Sequence, residues 1–332
     1  MIYPVLLSLF LSLSPADPVR PLPIRHPEAV VGLALSPDRT QFASLSRDGL
    51  VILWDIKTRK DLNSFSSPRS AVAIQWLQPR KLVTAGTMGL ATIDPVAGKV
   101  LNLNTINQRT DAGAISPDGR FAAVGNTHFV GQLLSVETGN SLKPYPAPAE
   151  WTYAMDISAD STLLAIGGRN PDPDAITLLE TKEFTTIRQW PIKLKDAFGL
   201  RFSPNHQYLA SVGDGDVVKL WNVTDGSLAQ SYPLAQPGAI AVCFSPDGKR
   251  LAVSSGVPVQ RLVPSHFDIN PQEQANAIKP TASLVQVWNL ETNKEVWRSE
   301  ALTTWATSLM LLPNGCLVAG SQDGSVRFWT LP

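Results

Sequence analysis

The sequence predicts an all-β fold of seven small antiparallel sheets closed into a ring, and three observations carry that prediction. A turn resembling Ser-Pro-Asp-Gly, set between two apolar runs, recurs seven times. The turns begin at Ser36, Gln78, Ser116, Ser158, Ser203, Ser245 and Leu312, spaced 42, 38, 42, 45, 42 and 67 residues apart. A period of this size is the mark of a repeat architecture. The runs themselves are short, rich in β-branched and aromatic residues, and bounded by Gly, Pro, Asp or Asn, as strands joined by tight turns are.

Composition agrees with one ordered array. Of the 332 residues, 44% are apolar and 17% charged, which suits a protein with a sizeable core rather than a disordered chain. Twenty-eight basic and 28 acidic residues cancel, and no Lys/Arg run stands out. A nucleic-acid partner is therefore not expected, because phosphate binding leaves a basic footprint. The two cysteines, Cys243 and Cys316, fall in different repeats and read as small buried hydrophobes.

Residues 1–16 stand outside the array. Val5–Leu13 is a compact apolar stretch followed by Ser14, Pro15 and Ala16, small residues that suit signal-peptidase cleavage before Asp17. The run is too short to span a bilayer, which takes about 20 residues. We expect a cleaved export signal and an extracytoplasmic, periplasmic or secreted product with no transmembrane segment in the mature chain. The alternative is an ordinary strand in a cytoplasmic protein, since no Lys or Arg precedes the run.

The fifth repeat shows the unit most clearly. Ala197–Phe202, Tyr208–Val212 and Val217–Val223 read as three strands, and Ser227–Tyr232 as a weaker fourth. Four strands in about 42 residues make a sheet that cannot bury both faces alone, and stacking such sheets around an axis solves the problem. Within the first repeat, Phe42–Asp55 reads FASLSRDGLVILWD, and within the seventh, Leu317–Trp329 reads LVAGSQDGSVRFW. These segments resemble the WD40 repeat, and the strand-ending pair recurs at Trp54-Asp55, Trp221-Asn222 and Trp288-Asn289. Repeats 1, 5, 6 and 7 match well, while repeats 2, 3 and 4 lack the tryptophan. The resemblance, to an exported, bacterial-type member with several degenerate repeats, implies a seven-bladed WD40 β-propeller over residues 18–332.

It further implies a structural tetrad of His, Ser/Thr, Asp and Trp in each blade. The first repeat alone carries all four, as His26, Ser44, Asp48 and Trp54. The fifth keeps Ser211 and Trp221 but has Gly215 at the Asp position, and the seventh keeps Asp323 and Trp329 but has Ala319 at the Ser position. Val326–Leu331 supplies a third strand to the last repeat. The segment Val19–Arg25, in the place of a fourth strand, is expected to close that blade, with Pro21 and Pro23 tolerated on an outer edge.

The irregularities are the candidate functional features. Repeat 6 is longer by about 25 residues than its neighbours, and the excess, residues 257–283, lies between its second and third strands. Loops this long are often functional, although surface insertions are also cheap. Repeat 4 carries a smaller elaboration there, with Arg169, Asp172 and Asp174; its carboxylates form too incomplete a set for a Ca²⁺ loop and read as a solvated turn. On the same face, Trp151 and Tyr153 enter repeat 4 and Trp305 enters repeat 7. Together with His266 and Phe267 of the insertion, these are the candidate partner-binding residues, as aromatic anchors on a rim of loops.

No linear motif announces chemistry. His26, His128, His206 and His266 are scattered without metal-ligand spacing, and neither a nucleophile elbow nor a phosphate-binding glycine loop is present. No cofactor or metal is expected. The reading is a monomeric, non-catalytic scaffold that binds a protein or peptide on its loop-rich face. Two alternatives are a propeller hydrolase, lactonase or redox enzyme with an active site in the channel, and a structural part of a secreted or envelope assembly.

Overall fold

A computed structural model describes residues 26–105, 110–125, 130–146, 151–169, 175–191, 197–256 and 283–332. Blade 1 comprises β1 (Val30–Leu35), β2 (Gln41–Ser46), β3 (Leu50–Asp55) and β4 (Asp61–Ser66). Blade 2 comprises β5 (Ala71–Gln78), β6 (Lys81–Gly86), β7 (Gly89–Asp94) and β8 (Lys99–Asn104). Blade 3 follows with β9 (Ala112–Ile115), β10 (Phe121–Gly125), β11 (Val130–Ser135) and β12 (Ser141–Pro146). Blade 4 has β13 (Trp151–Ile157), β14 (Leu163–Arg169), β15 (Ala175–Glu180) and β16 (Thr186–Pro191). Blade 5 has β17 (Ala197–Phe202), β18 (Tyr208–Gly213), β19 (Val217–Asn222) and β20 (Leu228–Pro233). Blade 6 has β21 (Ala239–Phe244), β22 (Arg250–Ser255), β23 (Leu284–Asn289) and β24 (Lys294–Arg298). Blade 7 shows β25 (Ala306–Leu311), β26 (Cys316–Ser321) and β27 (Val326–Thr330).

Every sheet is an antiparallel meander in chain order. The first strands of successive blades lie side by side around the axis, and β1 also packs on β25, so the ring closes. Blades 1 and 7 share one apolar cluster in which Phe42 stacks on Trp54 and Phe328 meets both edge-on, with ring centroids 5.7–6.0 Å apart. Arg59 ties the same two blades, its guanidinium donating to Thr330 Oγ1 at 2.7 Å. The expected closing segment 19–25 lies outside the described residues, as does the proposed signal 1–16.

The recurring turn has a specific job. In the first repeat, Ser36 Oγ donates to Asp38 Oδ1 at 2.6 Å and accepts the Gln41 amide at 2.9 Å, tying both ends of the turn. Ser158 with Asp160, Ser203 with Asn205 and Ser245 with Asp247 repeat the arrangement. The fourth residue is left-handed in six of the seven turns: Arg39, Gly119, Ser161, His206, Gly248 and Gly315 all have φ between 60° and 79°. Glycine recurs there because a side chain is strained in that region. Repeat 2 departs from the rule, since Gln78 pairs directly with Lys81 in a tighter hairpin.

Blades 2, 3 and 4 form without the tryptophan. Ile93, Leu134 and Leu179 occupy the register position of Trp54 and are fully buried. Apolar packing between adjacent sheets holds these blades.

Candidate functional site

The meander sends two kinds of connection to each face of the ring. The Ser-Pro-Asp-Gly turns and the links from third to fourth strands share one face. The links from second to third strands share the other with the segments leaving each fourth strand. On this loop-rich face the two links of a blade bond to each other: Ser67 N donates to Gly49 O at 2.7 Å, and Gly238 N to Gly215 O at 2.9 Å. In blade 6 the same joint is made by Ser283 and Leu302, with Leu302 N donating to Ser283 O at 2.8 Å. Ser283 Oγ also donates to Ser255 O at 3.0 Å, which pins both roots of the insertion together. Trp305 follows Leu302 by three residues, is half-buried, and its carbonyl accepts the Gln322 amide at 3.0 Å.

The blade 4 aromatics need a correction. Trp151 and Tyr153 belong to the innermost strand β13 and not to an entering loop, because aromatic residues favour the pleated, half-buried setting of a strand. Trp151 pairs across the ladder with Arg169, at the end of β14 on the loop-rich face. Tyr153 occupies a register shift between Thr152 and Ala154, and its ring lies 5.4 Å from that of Phe198 in blade 5. Both tryptophan and tyrosine are half-buried. Asp172, Asp174, His266 and Phe267 lie outside the described residues.

The tetrad residues of blade 1 form a buried chain centred on one hydroxyl. His26 Nε2 lies 2.7 Å from Ser44 Oγ, and Trp54 Nε1 donates to that oxygen at 2.8 Å. Asp48 is not hydrogen-bonded to the imidazole: it accepts from Ser46 Oγ and from the Leu50 amide, closing the turn between β2 and β3. His26 Nδ1 is buried without a hydrogen-bond partner. Burial lowers the imidazole pKa to about 4, against the opposing pull of the Asp48 charge. His26 is therefore neutral near pH 7 and serves as a brace. Blade 5 keeps part of the chain, with Trp221 Nε1 donating to Ser211 Oγ at 2.9 Å.

Around the axis, the polar groups are tied to neighbouring blades. Asp156 of β13 accepts Arg201 Nη1 at 3.0 Å and the Phe202 amide at 2.7 Å, both from β17. Burial raises the Asp156 pKa, opposed by the Arg201 charge and the Phe202 amide. Sequence reading missed this pair, since residues 45 apart carry no local signal beyond the repeat period. Cys243 is buried and its thiol is pushed up to about 12 by burial, and Cys316 is buried too; neither is in a disulfide. No group of three or more His, Cys, Asp or Glu side chains able to hold a metal occurs among the described residues. A cavity of about 530 Å³ opens on the opposite, turn-bearing face, lined by Arg39, Asp247, Arg250, Leu312 and Pro313 among others. No helix among the described residues is long and apolar enough to cross a membrane.

Six four-stranded blades and a seventh with three described strands, in this ring order and register, define a β-propeller. The family profile described as WD domain, G-beta repeat matches residues 19–55, 195–222 and 299–330, so the chain carries WD40 repeats on a seven-bladed propeller. It is similar to apoptotic protease-activating factor 1 of Mus musculus, 22% identical over 331 residues, covering 89% of this chain and 26% of that protein. It is also similar to an uncharacterized WD repeat-containing protein of Synechocystis sp., 26% identical over 165 residues, covering 49% of this chain and 46% of that protein. Telomerase protein component 1 of Rattus norvegicus is 22% identical over 244 residues, covering 68% of this chain and 9% of that protein. The chain thus spans about a quarter of the length of the first of these relatives and still less of the last.

Proposed function

We propose that this propeller is a non-catalytic scaffold that captures a protein or peptide on its loop-rich face, at the blade 6–blade 7 junction. The observation that carries the reading is the joint between Ser283 and Leu302, which sets the root of the insertion three residues from Trp305. An aromatic anchor next to a long loop is the arrangement from which a few residues can supply most of the binding energy. The buried His26 and Asp156 are engaged in bracing blades elsewhere in the ring, which supports binding over chemistry. Relatives named as a protease-activating factor and a telomerase component fit a module that acts through other macromolecules. We further propose that residues 1–16 direct export, so that the partner is met outside the cytoplasm.

Affinity capture from the native compartment followed by mass spectrometry tests the first reading. Deleting residues 258–282 and, separately, Trp305→Ala should each remove the same captured protein while leaving thermal unfolding unchanged. Capture profiles identical to wild type from both variants would overturn the assignment. The mass of the mature N-terminus decides export, with Asp17 expected as the first residue.

A further inference from the structure

Three of the six left-handed turn residues, Arg39, Ser161 and His206, are not glycine, and two of them put the side chain to use. Ser161 Oγ accepts the Asp118 amide of blade 3 at 3.1 Å, and His206 Nδ1 lies 3.1 Å from Asp160 Oδ2 of blade 4. Each side chain reaches back to the turn of the preceding blade, a contact that offsets the strain of a left-handed residue. For Arg39, at φ 60°, the preceding blade in the ring is blade 7. The turn there, Leu312-Pro313-Asn314-Gly315, has leucine for the usual serine and asparagine for the usual aspartate. It offers no carboxylate, and the Arg39 guanidinium has no hydrogen bond or ion pair among the described residues. Backbone strain kept without a structural contact points to function at that residue.

Arg39 instead lines the cavity of about 530 Å³ on the turn-bearing face, together with Arg250 of blade 6. Arg250 Nη2 donates to Pro332 O at 2.8 Å and forms no ion pair among the described residues. The carboxylates closest to these arginines along the chain are held by their own turns. Asp38 accepts from both Ser36 Oγ and Thr40, and Asp247 accepts from Ser245 Oγ and the Lys249 amide. Those two bonds, with the Lys249 charge, hold the Asp247 carboxyl below its usual range. Two guanidinium groups and the one carboxylate of Asp247 thus leave the cavity with a net charge of about +1. Its remaining wall is largely apolar, with Pro246, Leu312, Pro313 and Leu331.

We propose that this cavity binds a carboxylate carried on an apolar body, with Arg39 and Arg250 on the carboxylate and the leucine and proline wall on the body. A guanidinium fork matches the two oxygens of a carboxylate. A single negative charge balances the cavity, whereas a phosphate dianion would overfill it beside Asp247. The volume falls within the range of small-ligand sites, which are mostly apolar with a few polar groups that fix orientation. The same chemistry is presented by a free aliphatic acid and by a glutamate flanked by leucines in a peptide. The site lies on the face opposite Trp305, so it stands or falls independently of the capture proposed there.

The test is the dissociation constant of defined probes with the full chain, by ligand-observed NMR. Octanoate is paired with uncharged octanamide, and a capped Leu-Glu-Leu peptide with capped Leu-Gln-Leu. At least one carboxylate should bind about tenfold or more tightly than its neutral partner, and the one that does identifies the source. Arg39→Gly removes strain and charge together, so it should weaken that carboxylate by about tenfold or more while raising Tm. A loss of binding in a more stable protein does not come from misfolding. Arg250→Gln should weaken it similarly, and His206→Gly, the same turn position in blade 5, should leave binding unchanged. Two results would overturn the proposal: carboxylates that bind no better than their neutral partners, or binding that survives either arginine substitution.

Discussion

His26 makes the stability of blade 1 depend on pH in a way that can be separated from the rest of the protein. The side chain is fully buried, and burial lowers its pKa from 6.5 to about 4. In the unfolded chain the imidazole binds a proton near pH 6.5, while in the folded chain it does not until about pH 4. Between those values the unfolded state holds more protons, so stability rises with pH across that window and falls as the solution is acidified. The gap between 6.5 and about 4 corresponds to about 3 kcal/mol, fully present above pH 6.5 and lost by pH 4. His26→Gln removes the titrating group and should itself cost about 1–3 kcal/mol at pH 7, because Ser44 loses a buried partner. Urea unfolding of both proteins from pH 7.5 to 4 is the assay, with the wild-type minus variant difference plotted against pH. That difference should shrink by about 3 kcal/mol on acidification. Parallel curves, or a His26 resonance titrating near 6.5 in the folded protein, would refute the argument that burial governs this group.

Two further outcomes follow from the same packing. Ser44→Ala strands both His26 Nε2 and Trp54 Nε1, and should cost about 2–4 kcal/mol, whereas Ser211→Ala strands Trp221 alone and should cost about half as much by urea unfolding. Arg39→Gly relieves a left-handed residue at an exposed turn and should stabilise the fold by about 0.5–1 kcal/mol, read as a rise in Tm.

The ring and its blade boundaries were legible because each depends on local, repeated chemistry. The Ser-x-Asp turn closes within five residues, and the third-strand tryptophans at 54, 221, 288 and 329 fall in one register. The tetrad was legible as residue types, and the His26–Ser44–Trp54 chain is bonded, but Asp48 serves its own turn. Trp151 and Tyr153 read as loop residues because their aromatic character says nothing about where a strand begins. Asp156 and Arg201 were invisible because their contact exists only once two neighbouring blades lie side by side.

The inequality of the blades follows from closure itself. In a ring every sheet is clamped between two others, so a blade that lacks its polar brace still buries its apolar faces, as blades 2, 3 and 4 do. Clamping protects the faces of a sheet and leaves its outer edge to look after itself. Selection on that edge is therefore local to each blade, and an edge strand that loses its polar guard gains nothing for the fold. On β8, Leu103 stands exposed where β4 and β20 carry Ser64 and Ser231, and Asn104 stands where those two strands bury Phe65 and Tyr232. Both changes weaken blade 2 as a solitary sheet, and the ring tolerates them because β5 and β6 stay clamped between blades 1 and 3.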